Sequence, residues 1–259
     1  MMTIAEFLSS QSYQVDVFWQ DQTIRKKIEN RFNLDISEIN FCSKSFQIFT
    51  AKQNLLKKLK ILRKYNAFFY LSDGSVPFLF AKKNFLHFQV PFHDIGGKSV
   101  LNRIKLKLID GIICNSNFTK KFIDREYGVN SIVIYPPVDI ESFKPLEKKD
   151  IILSTGRFDS PLHSKNQDLM IKVFRKMCDQ KLSGWQLVLI GGSSNNRSDY
   201  LRKLTILSKN YPVKIIVNAS FRILKEYYGK AKIYWHAAGA GIDEDRAVSY
   251  THLTLPTKA

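Results

Sequence analysis

Two hydrophobic periods alternate along the 259-residue chain. Short apolar runs predict strands: "EINFC" (38–42), "NAFFYLS" (66–72), "NFLHFQV" (84–90), "DGIICNS" (110–116), "WQLVLIGG" (185–192) and "VKIIVNAS" (213–220). In "YQVDVFW" (13–19), Tyr13, Val15, Val17 and Trp19 fall on one side, which predicts a further strand. Between these runs lie stretches of helical period at 21–32, 52–64, 98–108 and 117–126. In "NQDLMIKVFRKMC" (166–178), Leu169, Met170, Val173, Phe174 and Met177 are expected to form one apolar face. This β-α-β-α alternation is the pattern of a parallel, doubly wound α/β sheet.

"PPVDIESFKPLEKKD" (136–150) breaks the pattern with three prolines and mixed charge. The expected organisation is a first domain over 1–137, a linker over 138–149 and a second α/β domain over 150–247. Both domains are expected to be incomplete. The chain opens on "TIAEFLSS", which reads as the second half of a helix, and the second domain has few strands before its pattern stops. The last stretch, "VSYTHLTLPTKA" (248–259), has no period and no cap, and its first ten residues, "VSYTHLTLPT", back-translate to a transposon mosaic-end and adapter sequence. It is expected to be a non-native tail, so His252 and Lys258 are not offered as site residues.

Composition narrows the function classes. Lys and Arg number 40 against 23 Asp and Glu, for a formal charge of +17. The cations are spread along the chain with no zinc-finger, RNP or basic-zipper spacing, so nucleic acid is only a weaker alternative. The densest basic piece, "KQNLLKKLKILRKY" (52–65), reads first as a surface helix; the sharper reading is peripheral contact with anionic lipid. Cys42, Cys114 and Cys178 are scattered, which suits buried free thiols in a reducing, cytoplasmic setting.

The candidate chemistry centres on "STGRFDSPLHSKNQDLM" (154–170). A strand ends in a turn at Gly156, Arg157 follows, and Lys165 opens a helix. Two cations beside a helix N-terminus suit a phosphate or diphosphate, although on spacing alone an ordinary turn and a solvated lysine fit as well. His87 lies near the end of a predicted strand, where open α/β sheets bind ligands. Two readings of it stand side by side: a residue facing the site, or a core histidine satisfied by backbone. Gly191 and Gly192 end another strand, and His236 lies in "YWHAAG" (234–239).

"ICNSNFTKKFIDREYGVNSIVIYPPVDIESFKP" followed by "ILSTGRFDSPLHSKNQDLMIKVFRKM" resembles the retaining GT-B, or group 1, glycosyltransferases. Within that family it is similar to lipid-linked-oligosaccharide α-mannosyltransferases. The resemblance implies a GT-B architecture, two Rossmann-like domains facing a cleft. It implies transfer of a sugar from a GDP- or UDP-sugar to a lipid-linked or saccharide acceptor, with no metal and no cofactor beyond that co-substrate. Gly156, Arg157 and Lys165 would hold the donor diphosphate, and Gly191, Gly192 and His236 would rim the donor site. His87 would face the sugar or acceptor, and the protein would work in the cytoplasm or at the cytosolic membrane face. The family's E-x7-E glutamate pair does not follow Glu244, so the isolated chain is expected to be inactive. "DED" (243–245) is not read as a metal motif. A non-catalytic, nucleotide- or partner-binding remnant is the alternative function.

Overall fold

Parallel pairing dominates the computed structural model, which describes residues 1–21, 23–32, 34–43, 55–158, 165–193 and 199–237. All strand pairs among the described residues are parallel. The chain splits into two compact units, Met1–Pro137 and Val138–Ala259. The tail at 248–259 and the stretch at 243–245 lie outside the described residues.

The first unit begins with α1 (Met2–Ser10), β1 (Asp16–Val17), α2 (Ile24–Phe32) and β2 (Asn40–Phe41). β1 and β2 form a separate two-stranded sheet, closed by Ile28, Ile36 and Ile39. The strand expected over 13–19 is thus only two residues long. Tyr13 and Trp19 are exposed, so the alternation there does not mark a buried face. After α3 (Leu55–Leu62) comes a second sheet: β3 (Ala67–Ser72), β4 (Lys83–Phe88), β5 (Gly111–Cys114) and β6 (Ile132–Val133), paired in that order. The crossovers after β4 and β5 carry α4 (Val100–Leu106) and α5 (Asn117–Tyr127). Ser116 caps α5 by accepting from Thr119 N–H, and Gly128 ends it in the left-handed conformation at φ 68°.

The β3–β4 connection has no helix and instead buries Val76, Leu79 and Ala81 in the core. Asn84, buried at the start of β4, ties this connection down. Its Oδ1 accepts from Ala81 N–H, and its Nδ2 donates to the carbonyls of Ala81 and Leu108. Asn84→Ala leaves these buried groups without partners and is expected to cost about 2 kcal/mol. The check is the shift of the first unit's urea transition.

The second unit opens with a 3-10 turn (Ile140–Ser142), followed by β7 (Lys149–Thr155), α6 (Gln167–Asp179), β8 (Gln186–Gly191), α7 (Asp199–Ser208), β9 (Val213–Val217), α8 (Phe221–Lys230) and β10 (Ala231–Tyr234). Residues read as linker run along α8: Phe143 packs edge-on to Phe221 and Tyr228, and Leu146 N–H donates to Gly229 O. The buried face of α6 is Gln167, Met170, Ile171 and Phe174. Leu169 and Val173 are exposed, so the apolar face is rotated from the expected one. Packing against Phe158 and Leu187 selects that side, and the helix is apolar enough that period alone left its phase open. Of the three free cysteines only Cys114 is buried, where its thiol donates to Ser131 Oγ.

The sheet order is β10-β7-β8-β9. The chain steps outward from β7 to β8 to β9, then returns across the sheet to place β10 on the other side of β7. That reversal is a topological switch point, and open α/β sheets bind ligands beside one, at the carboxyl ends of the strands.

Candidate functional site

The switch point between β7 and β10 gathers five of the seven predicted site residues, and Gly192 follows at the end of β8. Past the end of β7, Gly156 N–H donates to Ile190 O (3.0 Å) and Phe158 N–H donates to Gly192 O (2.9 Å). These bonds carry the β7–β8 ladder three residues beyond the strand, to Phe158. Phe158 is fully buried against Ile171 and Phe174, while Arg157, between the two anchored residues, is exposed.

Close backbone approach explains the glycines. A Cβ on Gly191 would stand 1.9 Å from Gly156 O, and one on Gly156 would stand 2.6 Å from Lys165 Cγ. The aliphatic stem of Lys165 therefore lies over the Gly156 backbone. Gly192 is different: a Cβ there would meet only Asn218 Oδ1, at 3.7 Å.

Three polar residues set this geometry. Gln167, buried in the first turn of α6, donates to Arg157 O (3.0 Å) and accepts from Tyr200 Oη (3.0 Å). Asn166, left-handed at φ 53°, donates to Ala237 O (2.8 Å) and so ties the α6 N-terminus to the chain leaving β10. Asn218, also left-handed, donates its N–H to Gly191 O and pairs both side-chain atoms with the Ser193 backbone. Spacing did not single these out. The one signal for Gln167 was a polar residue at a core position of the helix, in register with Met170, Ile171 and Phe174.

His236 is exposed and stacks at 6.5 Å on Tyr234. Partial burial, and then the charge of Lys165, hold its pKa below the ordinary imidazole value. The imidazole is therefore neutral near pH 7 and close enough to feel Lys165. Behind it Thr155 Oγ1 meets the hydroxyls of Tyr228 (2.7 Å) and Tyr234 (2.9 Å). Burial first, and the neighbouring tyrosine after it, push Tyr228 up to about 12, so Tyr228 acts as a neutral hydroxyl.

Two cationic side chains and a helix N-terminus at a switch point suit a diphosphate. Among the described residues no group of three or more His, Cys, Asp or Glu is placed to hold a metal.

His87 lies in the first unit, one residue from the end of β4, paired in register with Leu71 and Ile113. It is only 8% exposed, and its Nδ1 has no hydrogen-bond partner, so that nitrogen is not satisfied by backbone. Burial lowers its pKa, with a smaller contribution from the Met1 amino group. A depressed histidine binds fewer protons folded than unfolded, so stability falls as pH drops below the unfolded value of about 6.5. The first unit's urea midpoint is expected to fall between pH 7.5 and 5.5, as roughly follows from that value. His87→Phe should flatten this fall; an equal fall in the variant assigns it to another group.

The second unit is thus a doubly wound α/β domain whose switch point gathers Gly156, Arg157, Lys165 and His236. Comparison with known proteins agrees: residues 138–244 match the family described as glycosyl transferases group 1. The mixed α/β architecture with parallel sheets is that of a GT-B, Rossmann-like fold. Among solved structures, "accessory secretory protein 1,2 and 3 in Streptococcus pneumoniae" aligns at 11% identity with a TM-score of 0.37, over 66% of this chain and 37% of that one. The chain therefore spans just over a third of that relative's length. No curated protein matches it. Among the described residues no helix is long and apolar enough to cross a membrane.

Proposed function

We infer that this chain belongs to a glycosyltransferase that moves a sugar from a nucleotide-diphosphate sugar to a lipid-linked or saccharide acceptor, with retention of configuration. The observation that carries this is the convergence of Arg157, Lys165 and the α6 N-terminus on one switch point inside the matched residues. When the bond from the anomeric carbon to phosphate breaks, negative charge grows on the leaving diphosphate. Fixed cations there stabilise the transition state more than the ground state. Gln167 and Asn166 hold the Arg157 backbone and the helix start in place, so little reorganisation is needed as charge develops. Gly156 and Gly191 let the β7 turn, the end of β8 and the Lys165 stem pack closely, and neutral His236 stands at the rim as a hydrogen-bonding group. His87, in the first unit, is the residue proposed to face the sugar or acceptor. Mannose is the sugar proposed, from a GDP or UDP donor, and the reaction as proposed draws on no metal.

Calorimetric titration of the 259-residue chain with GDP, UDP and ADP tests the donor site. Binding of GDP or UDP that is lost in an Arg157→Ala, Lys165→Met double variant supports it. A folded chain that binds no nucleoside diphosphate overturns it. Transfer of labelled sugar to lipid acceptors by the chain then separates a catalyst from a non-catalytic binding protein.

A further inference from the structure

Hydrogen bonds on both sides of His236 hold it in place. Before it, Trp235 N–H donates to Leu153 O (2.8 Å) and extends the β10–β7 pairing. After it, Ala237 O accepts from Asn166 Nδ2 (2.8 Å). Asn166 directly follows Lys165, so the backbone around the histidine is bonded to the residue beside that lysine. The imidazole lies flat on Tyr234, with ring planes 21° apart, and Tyr234 stacks in turn on Tyr228 at 5.6 Å. Yet among the described residues nothing bonds to its ring nitrogens, and no carboxylate pairs with Lys165 or Arg157. The other titratable or charged groups on the elements beside the ring are few. They are Lys165 and Asp168 in the first turns of α6, Arg157 on the turn after β7, Tyr234 on β10 and Tyr228 on α8. Asp168 is already engaged by Lys203 (2.6 Å).

We propose that His236 takes up a proton when a diphosphate binds and so becomes the third cation on that diphosphate. This rests on the donor-site reading above. The empty site already holds two cations and the positive end of a helix. A third charge there would be repelled, so the imidazole stays neutral, in line with the lowering of its pKa by partial burial and Lys165. A diphosphate gripped by Lys165 cancels that repulsion and adds an attraction of its own. An opposite charge within about 4–6 Å favours the charged form of a titrating group by roughly one to three pH units. The chemical change is a single N–H bond: the bare ring nitrogen takes a proton from the buffer, and no other bond forms or breaks. The sign follows by linkage. The bound state holds the proton more tightly, so affinity rises as pH falls through the bound value. The gain levels off below the free value, which lies under about 6.5. A titrating third cation thus adds grip only when the anion is present, and it spares the empty site a third like charge.

The test is calorimetry of the full 259-residue chain with GDP-mannose and UDP-glucose, in two buffers of different ionisation enthalpy. A nucleotide sugar is the right probe because its diphosphate is esterified at both ends and does not itself titrate near neutral pH. The buffer-dependent part of the heat counts protons. Uptake of roughly half a proton or more per bound nucleotide is expected near pH 6.5. Affinity should rise about three- to tenfold from pH 8 to pH 6. His236→Gln should abolish both effects, weakening binding at about pH 6 and leaving it within about twofold of the unsubstituted chain at pH 8. The position is exposed, so circular dichroism should be unchanged. His236→Lys, a permanent cation, should bind with no proton uptake and no slope with pH. Binding without buffer-dependent heat overturns the proposal and leaves the donor site standing, as does proton uptake that persists in His236→Gln. A folded chain that binds neither nucleotide sugar overturns both.

Discussion

Lys165→Met is expected to weaken GDP or UDP binding by roughly 10- to 100-fold, the range for losing a charge-assisted hydrogen bond to phosphate. Methionine is the informative replacement because the Lys165 stem covers Gly156. Alanine would open that contact and mix packing with charge, whereas methionine keeps the aliphatic cover and removes only the ammonium. Lys165→Arg should retain much of the affinity. If the site serves sugar transfer as proposed, the same change should slow transfer by about 10²- to 10³-fold, since the cation matters most as the diphosphate leaves. Calorimetry and initial transfer rates check the two halves. Unchanged affinity in Lys165→Met would remove the lysine from the site.

Gly191→Ala should destabilise the second unit by on the order of 3–5 kcal/mol. The added methyl would stand 1.9 Å from Gly156 O and 2.9 Å from Phe158 Cε2. Both neighbours are held in place: Gly156 by its bond to Ile190 O, and Phe158 by burial and its bond to Gly192 O. Neither can retreat unless β7 separates from β8, and that would expose Phe158 and displace Arg157. Nucleotide binding should therefore fall with stability. Gly192→Ala, one residue on, meets only Asn218 Oδ1 at 3.7 Å and should stay within about 0.5 kcal/mol of the parent. Urea unfolding of the pair is the measurement. Similar stabilities for the two variants would mean that the close approach at Gly191 is not rigid.

Much of the architecture could be read from period. β3, β4, β5, β8 and β9 all fall on the apolar runs that predicted them, because a parallel strand buried on both faces reads as continuous hydrophobicity. The stretch at 13–19 misled because alternation records a preference for a face, and here Tyr13 and Trp19 stay exposed. The α6 face was misjudged for a related reason. Leu169 and Val173 are as apolar as Met170 and Ile171, and only the position of Phe158 decides which pair turns inward. At the site, Arg157 and Lys165 were legible because a glycine turn and a helix start punctuate the sequence around them. Gln167, Asn166 and Asn218 were not, because their work is hydrogen bonding to residues from 10 to 71 positions away.

Local chemistry therefore determined the elements, their parallel character and the two cations beside a helix start. Strand order was decided only in three dimensions. The return of β10 to the far side of β7 creates the switch point, and it brings His236 to Lys165 from 71 residues away, by the difference of their numbers. The contact of Gly191 with Gly156 and the orphaned Nδ1 of His87 are likewise tertiary facts. Each depends on which surfaces the fold covers, and a linear pattern records only which surfaces could be covered.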